Sequence, residues 1–363
     1  MNGNEKIKGD EKTEDVSRRR LQGIAGGAAF LALSLAPAGF ALWATPAEAS
    51  ATLPTVTIGK AVDTIPFTVV DVALAEGYFK QNGVDVEEEL VHGSSAANAA
   101  MIGGSLQFAC EAANPLMLAR SHGVPIMSVD AVDDGVGLQV LVSTEWLAKH
   151  PISADATFKQ RMADLNGAIL AEVGTTEQSF FGLLRGWAGL PPSSGYKVEK
   201  IDSLAAISLA IQKGIVDISI QSPPHSFQLT QQGYAKDFAD RRNVKQFNNV
   251  AYDILTTTPA YAQAHPQITT DVATSIAQAL NFMRNHPKQT LALEEKHFAT
   301  LSAAVLQESL EFIPFAKDGM QSRKGWENAV ELAQQTGLIK DVKSTPEGVY
   351  WTNKYIDRSK LDR

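Results

Sequence analysis

The feature that most constrains this chain is a rhythm. Short apolar strand-like runs alternate with helix-like runs, and in this alternating part the helices end at glycine. Thr55–Gly59 reads as a strand and Val69–Asn82 as a helix stopped by Gly83. Val84–Leu90 is a second strand, Ser95–Gly103 a helix, Gln107–Cys110 a third strand, Ala113–His122 a helix before Gly123, and Ile126–Ala131 a fourth strand. Alternation of this kind is the mark of βαβ units and a mainly parallel sheet. The same order returns later: strands at Val136–Ser143, Ala168–Glu172, Lys197–Ile201, Val216–Gln221 and Tyr234–Phe238, with helices at Gln178–Ala188, Ser203–Lys213 and His225–Gln232. Tyr252–Thr257 reads as a last strand. From Gln267 the pattern turns helical, over Thr269–His286, Lys288–His297, Ser302–Ile313 and Ser322–Thr336.

Two similar βα blocks predict two α/β lobes, and the helical tail is expected to pack back on the first. The chain must then cross between lobes twice, near Val136–Ser143 and near Tyr252–Thr257. Two crossings form a hinge with a cleft beside it. The expected division is 1–49 for an export signal, 50–137 for the first lobe, 138–257 for the second, and 258–363 for the helical return. A single large α/β domain is the competing reading.

The first 49 residues need a separate account, because targeting segments are removed before folding is argued. A polar, charged lead reaches Ser17-Arg18-Arg19-Arg20, an Ala/Gly/Leu-rich run follows, and Ala47-Glu48-Ala49-Ser50 closes it. Paired arginines before a weakly apolar stretch and a small-x-small site resemble a twin-arginine export signal cleaved after Ala49. Leu21-Gln22-Gly23 departs from that motif, and the run is long enough to serve instead as a membrane anchor. Cleavage places the mature protein in the periplasm. The mature part, about 310 residues, suits two cores better than one.

Composition narrows function by exclusion. A formal net charge of −8 argues against nucleic acid, and no basic stripe with interleaved aromatics occurs. The single cysteine, Cys110, supports neither a disulfide framework nor a metal cluster. The seven histidines show no metal-ligand spacing, although His92 and His225 lie beside loops expected at the cleft. No GxSxG, HExxH, P-loop or strand-following GxGxxG is present, so neither catalysis nor a cofactor is expected.

In open parallel sheets ligands bind outside the carboxyl ends of the strands. The loops meeting there contribute Asp63, Phe67, Gly93, Ser94, Ser95, Glu111, Asn114, Gly174, Thr175, Thr176, Ser222 and His225 as candidate ligand contacts. Gly93-Ser94-Ser95 and Gly174-Thr175-Thr176 each offer backbone N–H groups and hydroxyls at a helix start. Ser95 and Thr176 could equally be plain N-caps. Phe67 could wall the ligand or simply belong to the core. Acidic residues (Asp63, Glu111, Glu177) outnumber cations in these loops, which points to an amine-bearing or heteroaromatic organic ligand rather than an inorganic anion.

Several segments resemble a known family. Ala73-Leu74-Ala75-Glu76-Gly77-Tyr78-Phe79-Lys80-Gln81-Asn82-Gly83-Val84-Asp85-Val86 is similar to the A-x-x-x-G-(Y/F)-F-x-x-x-G-(L/V)-x-V pattern of nitrate, alkanesulfonate and taurine solute-binding proteins, a group that includes pyrimidine-precursor binders. The stretch from Gly93 through Gly103-Gly104-Ser105-Leu106-Gln107-Phe108-Ala109 follows their next loop, helix and strand, and Gly123-Val124-Pro125-Ile126 and Lys213–Ile218 are lesser matches. The resemblance implies an α/β, type II periplasmic-binding-protein fold: two lobes on a two-strand hinge, a small-molecule ligand, a membrane permease of an ABC importer as partner, and a monomer. The alternatives are a pyrimidine-synthase-like enzyme on the same fold, whose cysteine-rich iron-binding run Cys110 alone cannot supply, and a membrane-tethered sensory module.

Overall fold

The computed structural model describes residues 52–361 apart from 175, 338 and 340. The expected export segment and its cleavage point lie outside the described residues. Among those that are described, no helix is long and apolar enough to cross a membrane.

The chain builds two five-stranded sheets of one design. The first has the order β2-β1-β3-β10-β4, from β1 (Thr55–Lys60), β2 (Asp85–Leu90), β3 (Phe108–Ala112), β4 (Met127–Ala131) and β10 (Asp253–Thr257). The second has the order β7-β6-β8-β5-β9, from β5 (Gln139–Ser143), β6 (Ile169–Glu172), β7 (Lys197–Lys200), β8 (Ile218–Gln221) and β9 (Ala235–Ala239). β1 runs parallel to β2 and β3, and β6 parallel to β7 and β8. Each sheet also holds one antiparallel strand, β10 in the first and β5 in the second.

The placement of β10 corrects the sequence-based boundary. Asp253–Thr257, expected to close the second lobe, pairs between β3 and β4 of the first sheet. The run is wholly buried and would fit the middle of either sheet; its pairing is a tertiary choice. The crossings therefore lie just before the two antiparallel strands, not in them. They meet at an isolated antiparallel bridge between Gly135 and Asn248, where Val136 N–H donates to the Phe247 carbonyl at 2.8 Å.

Helices cover the sheets. In the first half these are α1 (Val69–Ala75), α2 (Tyr78–Asn82), α3 (Ser94–Gly103) and α4 (Ala113–Ser121). In the second they are α5 (Thr144–Lys149), α6 (Phe158–Ala163), α7 (Thr176–Trp187), α8 (Leu204–Gln212) and α9 (His225–Gln231). The single helix expected over Val69–Asn82 is two, because Gly77 adopts φ 74° and turns the chain left-handed between α1 and α2.

The tail supplies α10 (Pro259–Ala264), α11 (Pro266–Asn285), α12 (Pro287–His297), α13 (Ala303–Phe312) and α14 (Arg323–Gln335). Proline at the first position starts α10, α11 and α12 where its missing N–H costs nothing. α11 buries Val272, Ala273, Ile276, Ala277 and Leu280, one helical face, in a core shared with Val72, Phe79 and Phe108 of the first half. α13 packs against α12 and near Ile65 of the first half, as expected, but reaches the second half as well. Its Leu306 and Phe312 share a cluster with Phe227 of α9, in the second half. α14 also spans the halves: Trp326 lies in a core that reaches β5 and α7, and Trp187 Nε1 of α7 donates to Gln335 Oε1 at 2.7 Å.

Candidate functional site

Where the ends of the two sheets meet, a cavity of about 370 Å³ is lined from both halves. The first half contributes Phe67, the turn His92–Ala96, Ala112 and Pro115; the second contributes Leu138, Gly174, Thr176, Glu177, Ile220, Gln221 and Ser222; Tyr252 and Asp253 come from the returning crossing. Seven of the twelve residues expected from sequence meet here: Phe67, Gly93, Ser94, Ser95, Gly174, Thr176 and Ser222. Thr175 lies outside the described residues.

The turn that presents α3 runs through two residues of positive φ, His92 at 51° and Gly93 at 125°, and Gly93 N–H donates to the Ala61 carbonyl at 2.6 Å. Gly93 occupies the cap position and has no side chain to cap with, so Ser95 is not an N-cap. The first turn of α3, whose leading N–H groups have no partner within the helix, thus lines the cavity with Ser94 and Ser95. α7 meets the cavity differently. Glu177 folds back, its Oε2 accepting from Gly174 N–H at 3.4 Å, so a carboxyl already faces the N-terminal end of that helix.

The remaining candidates lie elsewhere. Glu111 is a correction: it is fully buried and does not reach the cavity. It extends from β3 toward β10, where Thr256 Oγ1 donates to its Oε1 at 2.9 Å, and burial pushes its carboxyl up to about 8. Asp63 and His225 border an adjoining recess of about 420 Å³. Asp63 accepts from His297 Nε2 at 2.8 Å, while His297 Nδ1 lies 3.2 Å from Asp71. Hydrogen bonds to these two carboxylates, Asp63 first, raise the imidazole to about 10. Asp63 is thereby committed to an ion pair. Burial lowers His225. Asn114 lines a more apolar groove of about 610 Å³ between α3, α4 and α7, continuous with the cavity through Ser95, Pro115 and Thr176.

Sequence reading missed Gln221, Tyr252 and Asp253. Asp253 N–H donates to Asp133 Oδ1 at 2.9 Å, and burial raises the Asp253 carboxyl to about 7. The signal available was position: Gln221 directly precedes the Ser222–His225 loop, and Asp253 opens a strand. Among the described lining residues the ionisable side chains are His92, Glu177, Tyr252 and Asp253, with no lysine or arginine. Cys110 is fully buried in β3, and burial pushes its thiol up. Among the described residues no group of three or more His, Cys, Asp or Glu side chains is arranged to hold a metal ion.

Comparison with known proteins supports this description. The two-sheet architecture matches a protein structure from Bordetella bronchiseptica RB50, with a TM-score of 0.71 at 19% identity over 83% of this chain and 95% of that one. It also matches the periplasmic aliphatic sulphonate binding protein SsuA from Escherichia coli (TM-score 0.61, 18% identity, 80% and 88% covered). The periplasmic nitrate-binding protein NrtA from Synechocystis PCC 6803 gives 0.64 at 11% identity, with 80% and 83% covered. At these identities the likeness establishes the periplasmic-binding-protein fold. No curated protein matches the sequence. The family model described as NMT1/THI5 like matches residues 65–290, more than half of the sequence, and the chain therefore belongs to the NMT1/THI5-like family.

Proposed function

We propose that this chain is the extracytoplasmic substrate-binding component of an ABC importer, capturing a small organic molecule between its halves without chemically changing it. A permease would receive the ligand, and the protein would work as a periplasmic monomer released by cleavage after Ala49. In this reading residues 52–131 with the returning β10 and most of the tail form the first lobe, and 138–240 the second. The fold shared with sulphonate- and nitrate-binding proteins and the cavity lined from both halves support it.

The observation that carries the ligand class is charge. Two carboxyl groups, Glu177 and Asp253, line the cavity, and no described lysine or arginine does. Burial raises both carboxyls, Asp253 to about 7, so an anion binds only if they take up protons. Where they are ionised, two like unit charges 4 Å apart near a protein surface repel by about 4 kcal/mol, roughly a thousandfold in affinity. Bare nitrate or a sulfonate would meet that repulsion unpaired, whereas an uncharged or amine-bearing molecule would not.

A thermal-shift scan of the mature protein against sulfonates, nitrate, amines, amides and heteroaromatic compounds tests both parts. Ligand at 100 times its dissociation constant adds about 2.7 kcal/mol of stability. Neutral or amine-bearing compounds should raise the melting temperature while nitrate and sulfonates leave it unchanged. Stabilisation by the anions alone would overturn the ligand class, and no stabilisation by any class would overturn the binding function.

A further inference from the structure

At the cleft end of the second sheet, β8 finishes on Gln221 and β5 begins on Gln139. The antiparallel register sets these residues directly opposite each other, so their side chains share one face. Gln139 is 0% exposed and Gln221 1%. Neither the oxygen nor the nitrogen of either amide has a hydrogen-bond partner in the protein. Native interiors pair almost all such groups, so two adjacent amides with four open positions call for a physical reason. Their position offers one, since Gln221 and Ser222 line the cavity, although the Gln221 amide is itself buried and must turn toward the cavity to meet a ligand.

We propose that Gln221 is the specificity-determining residue of the site, reading a carboxamide-like edge of the ligand, with Gln139 orienting it from the neighbouring strand. The inference rests on the binding function proposed above and names the chemistry of the ligand's head. A glutamine amide presents an N–H donor beside a carbonyl acceptor. It pairs in two places with any edge that offers an acceptor beside a donor: a primary amide, a lactam or a urea-type group. A carboxylate or sulfonate would accept from Nε2 but leave Oε1 facing negative charge, with Asp253 also on the cavity wall. An amine would satisfy Oε1 and leave Nε2 unpaired. The carboxamide edge satisfies both atoms at once.

The competing account is structural: ordered water could pair these amides, as buried water does with other unsatisfied polar groups. Ser219 Oγ and Ser226 Oγ, also buried and without partners, belong to the same part of the fold. The two accounts differ in what the unliganded protein loses when the amide is removed. Gln221→Met keeps the length and shape of the side chain. With no protein hydrogen bond lost, its melting temperature without ligand should equal or exceed that of the wild type. A drop of several degrees, or failure to fold, would show that the amides are held in a structural network and would overturn the proposal.

Benzamide, benzoate and benzylamine supply the second readout, since they share a ring and differ in the head. Benzamide should stabilise the wild type more than the other two, and its dissociation constant should rise at least tenfold in Gln221→Met and less in Gln139→Met. Equal response to all three probes, or benzamide affinity unchanged by Gln221→Met, would overturn the assignment. If the wider scan finds a ligand without an amide edge, this inference fails and the binding function stands; if nothing binds, both fail.

Discussion

Glu111 shows how burial sets the chemistry of single residues here. Its carboxyl is raised from the ordinary 4.5 to about 8 by burial, against which the hydrogen bonds of Thr256 and Asn98 pull downward. The folded protein thus keeps a proton that the unfolded chain releases. The stability this contributes is complete below pH 4.5 and drains away as pH rises through about 8. Glu111→Gln removes the titration, so the gap between mutant and wild-type denaturation midpoints should widen in the mutant's favour across that range. Parallel curves would contradict it. Ligand affinity should not change, because Glu111 is not on the cavity wall. The sequence placed an acid at the end of an apolar strand but carried no signal for the direction it faces. Gln221 was illegible for a different reason. Its importance lies in hydrogen bonds it lacks, and only packed coordinates reveal those.

Among the elements, Gly77 defines a sharp local constraint. Its φ of 74° ends α1 and permits α2 to begin, and an added Cβ would come no nearer than 3.6 Å to Gln81. Strain rather than collision would therefore set the cost of Gly77→Ala, about 1–2 kcal/mol. Chemical denaturation should show that loss with ligand affinity unchanged; a neutral substitution would mean the turn relaxes. In the tail, α12, α13 and α14 were legible to within a residue because their apolar positions recur at helical spacing, whereas the short α10 was not, and α11 begins three residues earlier than expected, on Pro266. The partners of these helices were not legible. α13 docks on α9 of the second half through Leu306, Phe312 and Phe227, a contact between apolar faces that either half could have offered.

For the whole molecule, the decisive event is the return of β10 to the first sheet, which sends the chain across a second time, with a cavity beside the paired crossings at Gly135 and Asn248. Both α/β blocks could be read from the alternation of strands and helices. The placement of β10 could not, since a buried strand does not declare its neighbours. α13 and α14 join the halves at two further places, so any closure must carry these helices with it.

The central claim is that one small molecule touches both halves at this cavity. Ser95 comes from the first half and Thr176 from the second, and each lines it. Calorimetric titration of the best compound from the thermal scan into Ser95→Ala and Thr176→Ala measures that contact directly. Loss of one neutral hydrogen bond should weaken binding about two- to tenfold in each variant. The account predicts that loss in both, with little change in melting temperature before ligand is added. Unchanged dissociation constants in both variants would contradict it and move the ligand elsewhere.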